Sequence, residues 1–246
     1  MIQVMIHLVK IVIAFVVALL FSSCNMNMNF DGKSIKGSGN VVTQQRNVKD
    51  FTKIEVKRGI ECIVTQGNPF KVEVEADDNL QEGILTTVEN GTLKINSEYN
   101  NYHNATKKVY VQLPVIDALE STSGSELKTN GVIKSNTILL KSSSGSDLYA
   151  NIESEKVALE STSGSDLKVE GKAIDVTTAS SSGSHIDAQK LLANNVVAQS
   201  SSGSDTDVHP ILSLKAKASS GSSIDYHSNP KQISKEESSG GSVDGH

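Results

Sequence analysis

Serine is the reactive residue type that dominates this sequence, with 35 copies in 246 residues and 30 of them after Asp117. A serine nucleophile needs a neighbouring base and an oxyanion hole. Here the serines recur in equivalent peptides: Ser123-Gly124-Ser125, Ser144-Gly145-Ser146, Ser163-Gly164-Ser165, Ser182-Gly183-Ser184, Ser202-Gly203-Ser204 and Ser220-Gly221-Ser222, with Ser239-Gly240-Gly241 as a degenerate copy. A catalytic serine is singular, whereas repetition marks structure, and no G-x-S-x-G elbow is present. Aspartates two residues after the glycine, Asp147, Asp166 and Asp205, could hold a hard cation between repeats, as calcium-binding nonapeptide rolls do. His185 and Ser223 break that column, and 152–160 lacks the second Gly-x-Asp such rolls require. His7, His103, His185, His209, His227 and His246 form no i, i+2 or i, i+4 pair with another histidine, so no metal site is expected. Glu126, Asp147 and Asp166 align in one column but interleave with Lys128 and Lys168, which suggests a surface ladder that offsets its own charge. No glycine-rich phosphate loop opens a helix. These residues imply neither enzyme nor cofactor, and the net charge of -5 argues against nucleic acid, since no basic stripe is available for phosphates.

The two cysteines carry different expectations. Ile11 to Phe21 is an apolar run of eleven residues, the length of a signal-peptide core and short of a membrane span. It ends in Phe21-Ser22-Ser23-Cys24, which resembles a bacterial lipoprotein box with Cys24 as the lipidated residue. Residues 1–23 are then a signal peptide and 24–39 a polar tether; the protein is anchored in the cell envelope, at the surface or the periplasmic leaflet of the outer membrane. Cys62, in Ile60-Glu61-Cys62-Ile63-Val64, is expected to be a small buried hydrophobe with no disulfide partner.

The elements that position these residues follow from the repeat. Successive motif glycines are 21, 19, 19, 20, 18 and 19 residues apart. With each glycine as position zero, aliphatic residues fill the odd positions. At minus seven stand Ile138, Val157, Val176, Val196 and Leu214, and at plus three Leu127, Leu148, Leu167, Ile186 and Ile224. Even positions are mostly polar, and period two means β-strand. One-sided strands at this interval, with no helix between, predict a right-handed parallel β-helix over 115–246 whose identical residues stack at about 4.8 Å. The serines at minus three, minus one and plus one are all expected to point inward, donating to one rung and accepting from the other. The irregular spacing is expected at turns such as Asn130-Gly131, Glu170-Gly171-Lys172, His209-Pro210 and Ser228-Asn229-Pro230.

Residues 40–114 alternate as strands, with a hairpin signal at Asn90-Gly91 and one helical turn expected within 78–85. They suggest irregular capping coils, or alternatively a small separate sandwich. Gly39-Asn40-Val41-Val42-Thr43, Phe51-Thr52-Lys53-Ile54-Glu55-Val56, Gly59-Ile60-Glu61, Thr65-Gln66-Gly67 and Val72-Glu73-Val74-Glu75-Ala76-Asp77-Asp78-Asn79-Leu80 resemble the putative auto-transporter adhesin, head GIN domain family. The resemblance covers about 39–243; the family's Gly-Ile-Asn motif stands here as Gly59-Ile60-Glu61, departing at its last position. It implies a secreted or lipid-anchored envelope protein of Bacteroidota type, a β-helix and an adhesive role, with Gly59, Ile60 and Glu61 as candidate binding residues. Two other expectations stay open: a β-helix that binds or cleaves carbohydrate, and a periplasmic signalling partner.

Overall fold

The computed structural model describes residues 34–246, together with Lys10. The signal peptide over 1–23, lipidation at Cys24 and the tether as far as residue 33 lie outside the described residues. In chain order the first strands are β1 (Ser34–Lys36), β2 (Val41–Arg46), β3 (Lys53–Val56), β4 (Glu61–Gln66), β5 (Lys71–Asp77), β6 (Ile84–Glu89), β7 (Thr92–Ser97), β8 (Asn101–His103) and β9 (Lys107–Leu113). They are followed by β10 (Ala118–Thr122), β11 (Glu126–Ser143), β12 (Asp147–Thr162), β13 (Asp166–Ser181), β14 (His185–Ser200), β15 (Asp205–Ser219), β16 (Ser223–Tyr226), β17 (Gln232–Ser238) and β18 (Ser242–Gly245). The helical turn expected at 78–85 shrinks to a 3-10 turn, Asp78–Leu80, because Ile84 already starts β6. Among the described residues no helix is long and apolar enough to cross a membrane.

From β10 to β15 every neighbour is parallel and each strand lies on the next, the pattern of a β-solenoid. Like residues stack: Leu127 on Leu148, Leu148 on Leu167 and Leu167 on Ile186, all fully buried. The aliphatic columns thus form one continuous core under the sheet. Spacing differences are absorbed where the register slips. Two extra residues bulge out between Lys128 and Val132, around Asn130-Gly131, which explains the interval of 21. Opposed slips between Ala188 and Leu192 and between Ala193 and Asn195 together accommodate the change from 20 to 18. Gly171 pairs with Ile152 at φ +123°, and a Cβ there would lie 2.0 Å from the Ile152 carbonyl oxygen, so only glycine fits.

The serine columns differ from expectation at one position. The serines at minus three and plus one are buried, for example Ser142, Ser146, Ser161 and Ser165. Those at minus one, Ser123, Ser144, Ser163, Ser182, Ser202, Ser220 and Ser239, are exposed. The cause is backbone conformation: in all seven corners both this serine, at φ +50° to +59°, and the following glycine have positive φ. Two consecutive left-handed residues turn the chain and interrupt the period of two at this one position, after which the odd positions face inward again. Each corner still continues the ladder, since the glycine N–H donates to the corner-serine carbonyl of the next coil, as in Gly145 to Ser163 at 3.1 Å and Gly164 to Ser182 at 3.1 Å.

The buried hydroxyls bond chiefly within a coil rather than from rung to rung. Ser142 Oγ donates to the Ser146 carbonyl at 2.8 Å, Ser161 to Ser165 at 3.0 Å and Ser200 to Ser204 at 3.0 Å. The plus-one serine clips the corner from inside: Ser146 Oγ accepts from Ser143 N–H at 3.1 Å, and Ser165 Oγ from Thr162 N–H at 3.2 Å. Contacts between coils are fewer, among them Ser184 Oγ to the Ser161 carbonyl at 2.7 Å. A partnered buried hydroxyl contributes about 1 kcal/mol, while an unpartnered one costs about 1–3 kcal/mol. Thr178 is the exception in this core, its buried Oγ1 having no partner.

Apart from β8, which pairs with β1 in a two-stranded sheet, the strands of 40–114 join the same sheet rather than a separate sandwich. β3 pairs in parallel with β10 and with β7, and β4 pairs in parallel with β11 and with β9. Asn90 and Gly91, both at positive φ, form the expected hairpin between antiparallel β6 and β7. β5 runs antiparallel to β9, and β2 antiparallel to β5, covering strand edges that would otherwise template pairing with other chains.

Candidate functional site

The parallel registers place β3 and β4 on the first regular coil, Val56 against Ser121 and Glu61 against Glu126. The intervening Arg58-Gly59 therefore occupies the place of a Ser-Gly corner. Arg58 has φ +60° and Gly59 +66°, and Gly59 N–H donates to the Ser123 carbonyl at 3.1 Å, the same rung-to-rung bond the later corners make. Gly59, Ile60 and Glu61 are the glycine, the inward residue and the outward residue of this initial corner. Ile60 fills the buried site that serine takes later. Glu61 pairs with Lys108 at 3.1 Å on the outer face. Of these three candidates Gly59 lines the cavity that opens on the corner. Cys62 falls in the inward aliphatic column against Leu127, wholly buried, and burial raises its thiol pKa far above the ordinary range.

A cavity of about 360 Å³ opens on this corner, lined by Arg58, Gly59, Asn100, Asn101, Tyr102 and Lys107, with Ser123 and Gly124 from the next coil. Arg58 carries a left-handed conformation that costs a side-chain-bearing residue about 1–2 kcal/mol. Its guanidinium donates to the Ser97 carbonyl, and the Tyr102 hydroxyl bonds Ser97 Oγ, so buried Ser97 ties both groups together. Lys107 Nζ lies 3.9 Å from the Tyr102 ring centroid. A Cβ on Gly59 would stand 2.7 Å from that Nζ, so the missing side chain makes room for the ammonium. Partial burial lowers the Lys107 pKa and raises that of Tyr102. Some surface lysines meet carboxylates, as Lys128 meets Glu126 at 2.6 Å and Lys168 meets Asp187 at 2.8 Å, while others, such as Lys53, Lys156 and Lys215, meet none among the described residues. Among the described residues, neither Arg58 nor Lys107 has such a partner.

Three other surfaces compare less favourably. A groove of about 420 Å³ crosses the outer face over Ala179, but its charges are already matched, Lys141 to Glu160 at 3.4 Å and Lys217 to Glu236 at 3.5 Å. The acidic column is only partly offset: Asp147 has its pKa raised by desolvation first, then by Asp166 and Glu126. Near the last coils Asp-x-His recurs at the repeat interval, as Asp207-Val208-His209, Asp225-Tyr226-His227 and Asp244-Gly245-His246. His227 Nε2 bonds Asp207 at 2.8 Å, His246 Nε2 bonds Asp225 at 2.9 Å, and the two rings stack 5.6 Å apart. Among the described residues no three His, Cys, Asp or Glu side chains are placed to hold a metal ion. Searching for histidine pairs close in sequence misses this ladder; searching at the coil interval finds it. Gly59 lies 65 residues before Gly124, against 18 to 21 between the later motif glycines, so Arg58 lay outside the repeat interval and, like Tyr102 and Lys107, carried no local signal.

Comparison with known proteins places the fold. The chain is similar to a crystal structure described as a putative adhesin from Bacteroides fragilis, with TM-score 0.81 and 21% identity over 86% of this chain and 100% of that one. It is also similar to a putative lipid binding protein from Parabacteroides distasonis, with TM-score 0.71 and 20% identity over 87% of this chain and 100% of that one. A putative adhesin from Parabacteroides merdae gives TM-score 0.71 and 15% identity over 87% of this chain and 99% of that one. Among curated proteins nothing matches. Residues 50–230 match the family described as putative auto-transporter adhesin, head GIN domain, and the chain belongs to that family.

Proposed function

We propose that this protein is a non-enzymatic binding module of the cell envelope, an adhesin or surface scaffold. A lipid on Cys24 anchors it, residues 24–39 tether it, the solenoid serves as a rigid rod, and the Arg58-Gly59 corner engages the ligand. Family membership supports the adhesive role. The observation that carries the choice of surface is the pair of cations in one cavity, without carboxylate partners among the described residues, at the corner where the repeat changes from Ser-Gly to Arg-Gly. Cleavage of sugars calls for two carboxyl groups across the scissile bond, and the cavity lining has none.

Labelling of intact cells with radioactive palmitate, for wild type and Cys24→Ala, followed by protease shaving, tests the envelope role. Label that depends on Cys24, with the rod shaved from cells, supports a surface adhesin. Label with a protected rod turns the role to a periplasmic scaffold or signalling partner. Label that persists in Cys24→Ala, or never appears, overturns the anchor.

A further inference from the structure

We propose that the corner cavity binds a carboxylate-bearing sugar, with the acid group between Arg58 and Lys107 and the ring hydroxyls on Asn100 and Asn101. This rests on the chain being a binding module and names the ligand class of the same site. The anion follows from charge. Two cations converge on one cavity, one of them half-buried, and among the described residues no carboxylate pairs with either. A partly desolvated ammonium without an anion is costly, and an incoming carboxylate removes that cost. Arg58 spends one donor on Ser97, and its planar fork suits a carboxylate with the rest.

The sugar follows from the other lining groups. Exposed amides such as those of Asn100 and Asn101 offer both donors and acceptors, as vicinal hydroxyls require. Tyr102 contributes an aromatic ring whose hydroxyl is already held by Ser97. An extended acidic peptide would seek free backbone edges, but the corner amides are engaged, Gly59 N–H with the Ser123 carbonyl at 3.1 Å and Gly124 N–H with the Ser144 carbonyl at 3.2 Å. The departure from the repeat agrees. A left-handed position held by serine in seven later corners carries here a long cation, a strained placement of the sort found at ligand sites.

The test is calorimetric titration of the full chain with the disaccharide of glucuronic acid and N-acetylglucosamine. Controls are the same disaccharide with its carboxyl reduced to an alcohol, and a tetraglutamate peptide. Arg58→Ser restores the residue of the other corners, and Lys107→Met keeps the aliphatic length. Saturable binding of the acidic disaccharide, weakened at least tenfold by each substitution and by carboxyl reduction, is the expected result. Equal binding of the reduced disaccharide, equal or tighter binding of the peptide, or wild-type binding by both variants overturns the proposal. So does the absence of binding at 10 mM, a concentration of roughly millimolar-affinity range. Urea midpoints of the variants separate lost binding from lost folding. Adhesion of protein-bearing cells to glycan-coated surfaces is scored in parallel. Adhesion without acidic-sugar binding sinks the ligand class and leaves the adhesin role standing; sugar binding by a protein shielded from protease does the reverse.

Discussion

The corner at Arg58-Gly59 and the corner at Ser163-Gly164 share a backbone and differ in what holds them. Both have two successive residues at positive φ, and both pass a glycine N–H to the next coil. At the later corner the interior is clipped by hydroxyls, Ser161 and Ser165 bonding each other at 2.9 Å, and the outer position is a small exposed serine. At the initial corner Val56, Ile60 and Cys62 fill the interior with aliphatic and thiol groups, and the outer position is an arginine facing a cavity. Repetition of one solution builds a rod; a change of solution at one rung frees the outer position for chemistry. The Gly-Ile-Glu peptide is thus a structural corner first, and in the proposed binding role Gly59 and its neighbour Arg58 are the residues that would meet the ligand.

Four substitutions sharpen or break that comparison. The largest effect is expected from Ser165→Leu, which overfills the buried clip and removes its hydrogen bonds, at a cost of about 3 kcal/mol by urea unfolding. Ser163→Leu, two residues away on the exposed corner, should cost less than about 1 kcal/mol. Equal costs would contradict the interruption of the alternation at the corner. Next come Gly59→Ala and Gly164→Ala. Each should lose about 1 kcal/mol from its positive φ. Only the first should also weaken binding, because its methyl displaces Lys107 Nζ, whereas a Cβ on Gly164 meets nothing within 4 Å.

Thr178→Val should stabilise by about 1 kcal/mol, since it removes a buried hydroxyl without a partner while keeping the shape. A fall in the melting temperature would show that the hydroxyl is bonded. The smallest effect concerns pH. Partial burial holds the Lys107 pKa below the ordinary lysine value, so the folded state binds fewer protons than the unfolded chain between those two values. Stability should therefore rise slightly as pH climbs through that window, and Lys107→Met should abolish the rise. A larger rise in the variant would assign the titration elsewhere.

The solenoid was legible because its columns are written in residue type: aliphatics at odd positions, glycine at the corner and turn dipeptides where the register slips. The inward assignment of Ser123, Ser144 and Ser163 failed because period two holds only while φ stays negative, and a Ser-Gly pair interrupts it without changing composition. The serine hydrogen bonds were expected between rungs and occur mainly within them, since the clip across a corner brings positions four apart together. The cavity was hidden for a topological reason. Asn100, Asn101, Tyr102 and Lys107 lie 42 to 49 positions from Arg58 in sequence, and the stacking of β7 and β9 on β3 and β4 brings them to its corner.

The most direct test is residue-resolved NMR of the isotopically labelled chain during titration with the glucuronate disaccharide. Amide shifts are expected to concentrate at Arg58, Gly59, Asn101, Tyr102, Lys107 and Gly124, with Gly164, Gly183 and Gly203 unmoved. Shifts concentrated along the Ser-Gly corners, with Arg58 and Gly59 unmoved, would contradict the division between a repeating rod and one functional corner.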